Sequence, residues 1–213
     1  MSIHDILNPF LTFFRRRRMK RFASIHRLEE GTTILDVGGY PWFWGKYGTK
    51  GRVTVVNTDA PAAAFECPPN IRFLQADGCA LPFAEKSFDV GFSNSVIEHL
   101  STWENQRRFA AELGRVARGL WVQTPARCFP VEPHLLTPLI HFLPKCWQRP
   151  LLRHFTIWGW LTRPTDEQVK AFLAEVRLLA KREMKLLFPG CTIITERFLF
   201  WPKCYIAVKA GSG

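Results

Sequence analysis

Apolar runs typical of buried β-strands alternate with helix-like segments along this chain, and polar residues follow each of the first four runs. The strand-like runs are TTILDVGG (32–39), RVTVVNTD (52–59), IRFLQAD (71–77), SFDVGFSNS (87–95) and GLWVQTP (119–125). Strands that alternate with helices, such as the helical segment 104–118, predict an α/β fold with a doubly wound, mostly parallel, Rossmann-like sheet. Ligands of such sheets bind beyond the carboxyl ends of the strands, so the polar clusters mark a candidate site.

The C-terminal part of the chain predicts one long helix and a hairpin. The helix covers 165–190, begins with a capping box formed by Thr165 and Gln168, and carries an apolar stripe. That stripe consists of Val169, Phe172, Leu173, Val176 and Leu179. Residues 191–200 and 203–209 alternate as an antiparallel pair, which would complete a seven-stranded sheet.

The formal net charge of +11 is concentrated at the two ends of the chain. Residues 1–30 carry seven Lys or Arg against three acids, 31–144 carry ten against ten, and 145–209 carry twelve against five. Residues 3–28 predict a basic amphipathic helix within an N-terminal segment, 1–30, with one main domain over 31–213. Such charge suits nucleic-acid phosphates, an anionic membrane or simply a solvated helix face.

The six cysteines are scattered, with no C-x-x-C pair, which favours reduced thiols in a cytoplasmic protein. No stretch is long and uncharged enough to span a bilayer. We therefore expect a cytoplasmic protein that can associate with a membrane surface.

The loop ILDVGGYPWFWGKY (34–47) begins like a nucleotide-binding turn and then becomes aromatic. Asp36 and the pair Gly38 and Gly39 are followed by four aromatic residues, Tyr40, Trp42, Phe43 and Trp44. These rings either line a cofactor or form ordinary core. A cationic ligand suits aromatic faces, whereas a phosphate cradle needs exposed backbone N–H groups and usually a basic side chain. We favour a cofactor loop with aromatic walls.

The segment ADGCALPFAEKSFDVGFSNSVIEHL (76–100) resembles the class I S-adenosylmethionine-dependent methyltransferases, in particular the small-molecule, type 11-like branch. An acidic strand end, an L-P-F stretch, an S-F-D strand and an E-H-L helix start follow in family order, and the resemblance covers roughly 30–125. It implies S-adenosylmethionine as the cofactor. It also implies methyl transfer to an oxygen, nitrogen or carbon atom of a small, apolar or lipid-linked molecule.

The resemblance assigns cofactor-binding roles to eight residues at the strand ends. Asp36 would orient the loop or meet the cofactor's ammonium group, and the two glycines would admit the methionine part. Asp77 would accept a hydrogen bond from the adenine amino group, and Ser93 and Asn94 would contact the aminocarboxypropyl chain. The residues are Asp36, Gly38, Gly39, Ala76, Asp77, Gly78, Ser93 and Asn94.

The sequence departs from the family pattern at two places. Tyr40 and Trp42 occupy the later glycine positions of the usual D-x-G-x-G-x-G loop. Asn57 stands where an acid usually holds both ribose hydroxyls, so either its amide or Asp59 would take that role.

Four residues are candidates for acid–base chemistry: Glu98, His99, Glu132 and His134. A base is needed only when the acceptor atom must lose a proton, and we favour His134, with His99 and Glu132 as further candidates. The same four could bind a metal, but Ser95 stands where a further carboxylate would help, so we expect no metal.

Residues 127–163 are rich in aromatics, leucine and proline and predict an apolar lid-like insertion. With the N-terminal helix, this insertion could contact a membrane. The S-N-S end of the fourth run argues against an exocyclic-amine DNA methyltransferase. A small-molecule acceptor is favoured, with an RNA methyltransferase or a non-catalytic binding protein as alternatives, and oligomeric state is not indicated.

Overall fold

The structure is a computed structural model that describes residues 3–61, 67–132 and 137–211. Side chains are described from residue 12 onward within these ranges, except those of residues 132 and 157. The chain divides into two compact units. Unit 1 comprises 1–93, 112–121 and 208–213, and unit 2 comprises 94–111 and 122–207.

The helices and strands follow the alternation expected from the sequence. The helices are α1 (Ile3–His26), α2 (Pro41–Tyr47), α3 (Trp103–Val116), α4 (Lys145–His154), α5 (Ile157–Thr162), α6 (Asp166–Glu175) and α7 (Lys181–Leu187), with short 3₁₀ turns at Ile97–His99 and Ile140–Phe142. The strands are β1 (Thr33–Val37), β2 (Arg52–Asn57), β3 (Ile71–Gln75), β4 (Phe88–Asn94), β5 (Ala117–Pro125), β6 (Val131–Glu132), β7 (Thr137–Pro138), β8 (Thr192–Phe198) and β9 (Trp201–Lys209).

Seven strands form one sheet in the order β3-β2-β1-β4-β5-β9-β8. Strand β1 pairs in parallel with both β2 and β4, and β2 pairs in parallel with β3. A two-residue turn joins β8 to β9. The predicted fold class, a mostly parallel Rossmann-like sheet that ends in a hairpin, is confirmed. The strand order changes direction at β1 and β4, which is where ligands of such sheets bind.

An aromatic cluster anchors α1 in the core of unit 1. Phe22 is fully buried, and its ring centroid lies 4.9 Å from that of Phe92, 5.6 Å from that of Trp121 and 6.2 Å from that of Trp44. The helix predicted over 3–28 therefore forms as α1, and two of its described aromatic side chains, Phe14 and Phe22, are buried.

The prediction of one helix over 165–190 is wrong. The capping box at Thr165 forms as expected, but α6 ends at Glu175 and α7 begins at Lys181. Between them, the amide of Arg177 donates to the carbonyl of Glu98 at 2.7 Å, and Leu179 pairs with Ala126 in a parallel bridge. These tertiary hydrogen bonds outweigh the helical propensity of the segment.

The insertion at 127–163 packs partly against α6 within unit 2. Ile140 and Leu152 form a buried cluster with Val169, and Trp158 and Phe172 pack against it. Other large apolar residues of the insertion stay exposed, among them Trp147, Phe155, Trp160 and Leu161. Across the described residues, no helix is both long enough and apolar enough to cross a membrane.

Candidate functional site

Asp36 is a buried carboxylate at the end of β1. Its Oδ2 accepts a hydrogen bond from the indole Nε1 of Trp44 at 2.7 Å. Within the described residues its Oδ1 is buried and has no hydrogen-bond partner. Burial raises the pKa of Asp36 to about 7, and the hydrogen bond from Trp44 opposes that rise. A carboxylate with one unused buried oxygen is well suited to accept from a cationic ligand.

The two glycines after β1 bring the backbone against this carboxylate. Gly38 has a φ of +81°, which favours glycine, and its amide donates to the carbonyl of Val56 at 2.7 Å. A Cβ at Gly39 would collide with the side chain of Asp36. The loop therefore requires glycine at both positions.

The side chain of Asn57, at the end of β2, holds the same loop from the other side. Its Nδ2 donates to the carbonyls of Gly38 and Gly39 at 3.2 and 3.1 Å, and its Oδ1 accepts from the amide of Asp59 at 3.3 Å. The sequence did not reveal this loop-supporting role. Ribose contacts from Asn57 or from the exposed Asp59 stay predictions.

The aromatic residues of the loop divide into two pairs. Phe43 and Trp44 are buried and belong to the core of unit 1. Tyr40 is half-buried, and its ring stacks on that of Trp42 with the two centroids 6.3 Å apart. The side chain of Trp42 is 49% exposed. Only Tyr40 and Trp42 therefore stay candidates for the expected aromatic wall. Trp44 contacts the loop only by the hydrogen bond that its indole donates to Asp36.

The ends of β3 and β4 supply the remaining predicted cofactor residues. Asp77 is exposed between the half-buried Ala76 and Gly78, and its Oδ1 accepts from the amide of Cys79 at 2.8 Å. Ser93 is buried and its Oγ donates to the carbonyl of Val37 at 2.9 Å, so this hydroxyl joins the ends of β4 and β1. Asn94, the last residue of β4, is half-buried. Contact of these residues with a cofactor stays a prediction.

In unit 2, the side chain of His99 contacts a carboxylate and that of Glu98 a hydroxyl. The Nδ1 of His99 lies 2.8 Å from Oε1 of Glu175, which is 76 residues away in sequence. Glu98 is fully buried, and its Oε2 accepts from the hydroxyl of Thr124 at 3.0 Å. A carboxylate that orients an imidazole is the arrangement of many general bases, so His99 stays a candidate.

The other two predicted catalytic residues lie partly or wholly outside the described residues. His134 belongs to 133–136, which the structure does not describe, and the same holds for the side chain of Glu132. The backbone of Glu132 pairs with Thr137 between β6 and β7. Within the described part of the chain, no three His, Cys, Asp or Glu side chains come together as a metal site.

Unit 2 also contains a cavity of about 350 Å³ that the sequence did not indicate. It is lined by apolar side chains of α6 and the insertion together with basic ones. The lining includes Ile140, Lys145, Phe172, Leu173, Val176 and the two arginines Arg127 and Arg177. The sequence placed these apolar residues in the lid-like insertion and in a helix stripe, but it did not indicate that the two segments enclose a cavity.

Comparisons with known proteins show which family part of the chain is similar to. Residues 37–119 match the family model described as a methyltransferase domain. An uncharacterized methyltransferase of Mycobacterium sp. (strain KMS) is 34% identical over 101 residues, which is 45% of this chain and 38% of that protein. A second, from Mycolicibacterium vanbaalenii, is 35% identical over 97 residues, which is 42% of this chain and 36% of that protein. The chain thus spans less than half the length of these curated relatives.

Two solved structures share the fold over most of the chain. Phosphoethanolamine N-methyltransferase 2 of Haemonchus contortus, in complex with S-adenosyl-L-methionine, superposes with a TM-score of 0.56 at 12% identity, over 84% of this chain and 38% of that one. A SAM-dependent methyltransferase of Aquifex aeolicus gives a TM-score of 0.50 at 16% identity, over 89% of this chain and 87% of that one. At these identities the likeness concerns the fold.

Proposed function

We propose that this chain, which carries a class I S-adenosylmethionine-dependent methyltransferase domain, binds S-adenosylmethionine at the ends of β1 to β4 and transfers its methyl group to a small, apolar or lipid-linked acceptor. The family match supports the enzyme class and the cofactor expected from the sequence, and the solved structures support the fold. The acceptor and the site residues belong to the proposal.

The observation that carries the proposal is the loop around Asp36. One buried oxygen of this carboxylate has no hydrogen-bond partner among the described residues, and Gly39 lies directly beside the carboxylate. The ammonium group of the cofactor would supply the missing partner, and the exposed Asp77 would accept from the adenine amino group. The residues present therefore fit the cofactor.

The bound cofactor supplies an electrophilic methyl group with a neutral sulfide leaving group. The protein holds the acceptor close and in line, which accounts for most of the acceleration in such displacements. If the acceptor atom carries a proton, His99 would take it in this proposal: with the Nδ1 proton directed to Glu175, Nε2 would hold the lone pair. His134 has the same role in the proposal.

Two observations support an apolar or lipid-linked acceptor. The cavity in unit 2 has apolar walls and basic side chains, which suits a molecule with an apolar body and an anionic group. The insertion also leaves Trp147, Phe155 and Trp160 exposed, which suits contact with a membrane, as proposed for the N-terminal helix. The proposal places the enzyme in the cytoplasm, because all six cysteines are free thiols.

The first test is calorimetric titration with S-adenosylmethionine and S-adenosylhomocysteine. We expect saturable binding that Gly39→Ala abolishes, because the new Cβ displaces the loop. Gly114→Ala is the control, since its Cβ has no neighbour within 4 Å and alanine favours the helix it lies in. Wild-type protein that binds neither compound would disprove the proposed cofactor site.

The second test concerns turnover with a panel of apolar and lipid-linked acceptors. We expect His134→Ala to reduce methyl transfer while cofactor binding stays unchanged. A non-catalytic binding protein is the second candidate, favoured by Asn57, whose amide is bound to loop carbonyls where the family usually has an acid. Tight cofactor binding without transfer to any acceptor class would favour that candidate.

A further inference from the structure

Four consecutive apolar residues are exposed at the turn between β8 and β9, a segment we call the hairpin tip (198–201). Phe198 is 36%, Leu199 76%, Phe200 89% and Trp201 53% exposed. Single exposed apolar residues are normal, whereas a run of four at a surface turn marks an interaction site.

The backbone conformation of the hairpin tip disfavours the apolar residues that occupy it. Leu199 and Phe200 form the two-residue loop, and Leu199 has a φ of +52°, in the left-handed region. Two-residue hairpin loops normally place glycine or asparagine at such a position, because a side chain with a Cβ is strained there. Turn formation therefore does not explain leucine at this position.

The charged side chain that is exposed directly beside the hairpin tip is basic. The guanidinium of Arg197 is exposed beside the tip and donates to the carbonyl of Phe200 at 2.9 Å, which holds the loop in place. Residues 145–209, which include the tip, carry twelve Lys or Arg against five acids. Aromatic side chains with neighbouring cations are the usual composition of a surface that enters the headgroup region of an anionic bilayer.

We propose that the hairpin tip inserts into the interfacial layer of an anionic lipid bilayer and anchors the protein there. This anchor is separate from the N-terminal helix and the insertion, and it does not depend on methyl transfer. A lipid surface fits better than a second copy of the chain, because four residues bury far less than the roughly 800 Å² per partner of a stable protein interface.

The experiment measures binding of the full chain to vesicles of phosphatidylcholine with and without phosphatidylglycerol. We expect binding to the anionic vesicles, reduced at least about tenfold by Phe200→Asp and by Leu199→Gly, because each removes an inserted apolar side chain. Leu199→Gly also relieves the strained φ, so its melting temperature should not fall. That variant separates loss of binding from loss of folding.

The matched control is Leu186→Asp, because Leu186 on α7 is also 70% exposed and lies in the same unit. It should bind vesicles like the wild type. The proposal fails if the tip variants bind as well as wild type, or if Leu186→Asp loses binding equally. It also fails if Phe200→Asp abolishes a self-association seen without vesicles, since the tip would then be an interface between copies.

Discussion

The indole Nε1 of Trp44 donates a hydrogen bond of 2.7 Å to the buried Oδ2 of Asp36, and this bond joins the aromatic core of unit 1 to the loop of the proposed cofactor site. The ring centroid of Trp44 lies 5.1 Å from that of Phe92 and 6.2 Å from that of Phe22. The position of the carboxylate is thus set by core packing.

Trp44→Phe should destabilise the protein by ~1–3 kcal/mol, because it leaves a buried carboxylate oxygen without its donor. Trp42→Phe is the matched control: Trp42 is 49% exposed and its substitution should change stability by less than about 0.5 kcal/mol. Chemical denaturation of both variants measures the difference. Equal stabilities would mean that the Trp44 bond adds nothing to the fold.

Cofactor affinity should depend on pH through Asp36. Its pKa is raised to about 7, so the carboxyl becomes protonated below that pH and no longer attracts a cationic group. We expect the dissociation constant for S-adenosylmethionine to rise as pH falls below 7, by up to about tenfold per pH unit. Calorimetry with the Asp36→Asn variant should give weaker binding that does not depend on pH in this range. If the affinity of that variant still falls with pH, another group is responsible for the titration.

Asp77→Ala should weaken cofactor binding by ~1–3 kcal/mol, the cost of losing a hydrogen bond to a ligand group that becomes buried. Glu85→Ala is the control, since Glu85 is an exposed acid in the same connection between β3 and β4. Calorimetric titration of both variants separates a specific contact from a general effect of removing negative charge. Equal affinities would remove Asp77 from the site.

Asn57→Asp should weaken cofactor binding, although it restores the acid that the family usually has at this position. The new carboxylate would face the carbonyls of Gly38 and Gly39 and lose both donated hydrogen bonds. Asn70→Asp is the matched control, because the Nδ2 of Asn70 also donates to two loop carbonyls, those of Thr49 and Gly51. Asn70→Asp should lower stability but leave affinity unchanged, and tighter binding by Asn57→Asp would instead support a ribose-binding role.

The strands were predictable because their signal is local. The apolar runs located β1 to β5 to within two residues at every end. The hairpin was also predicted, but its turn was expected at 201–202 and lies at 199–200, because residues 201 and 202 continue β9. The break between α6 and α7 was not predictable, because the hydrogen bond from Arg177 to Glu98 joins residues 79 positions apart.

The candidate site was predictable as a set of strand ends, whereas the hydrogen bonds within it were not. The positions of Asp36, Gly38 and Gly39 followed from the sequence, whereas the loop-holding role of Asn57 depends on side-chain direction. The pairing of His99 with Glu175 depends on how a distant helix packs. Sequence pattern contains neither kind of information.

The hairpin tip also has an orientation in the sheet. The amide of Ala126, just after β5, donates to the carbonyl of Lys203 at 3.0 Å, so the start of β9 lies at the carboxyl end of β5. Insertion of the tip would therefore turn that end of β5 toward the bilayer. An acceptor dissolved in the membrane would then reach the protein by lateral diffusion, and its partition coefficient, rather than its aqueous solubility, would govern how often the enzyme is occupied.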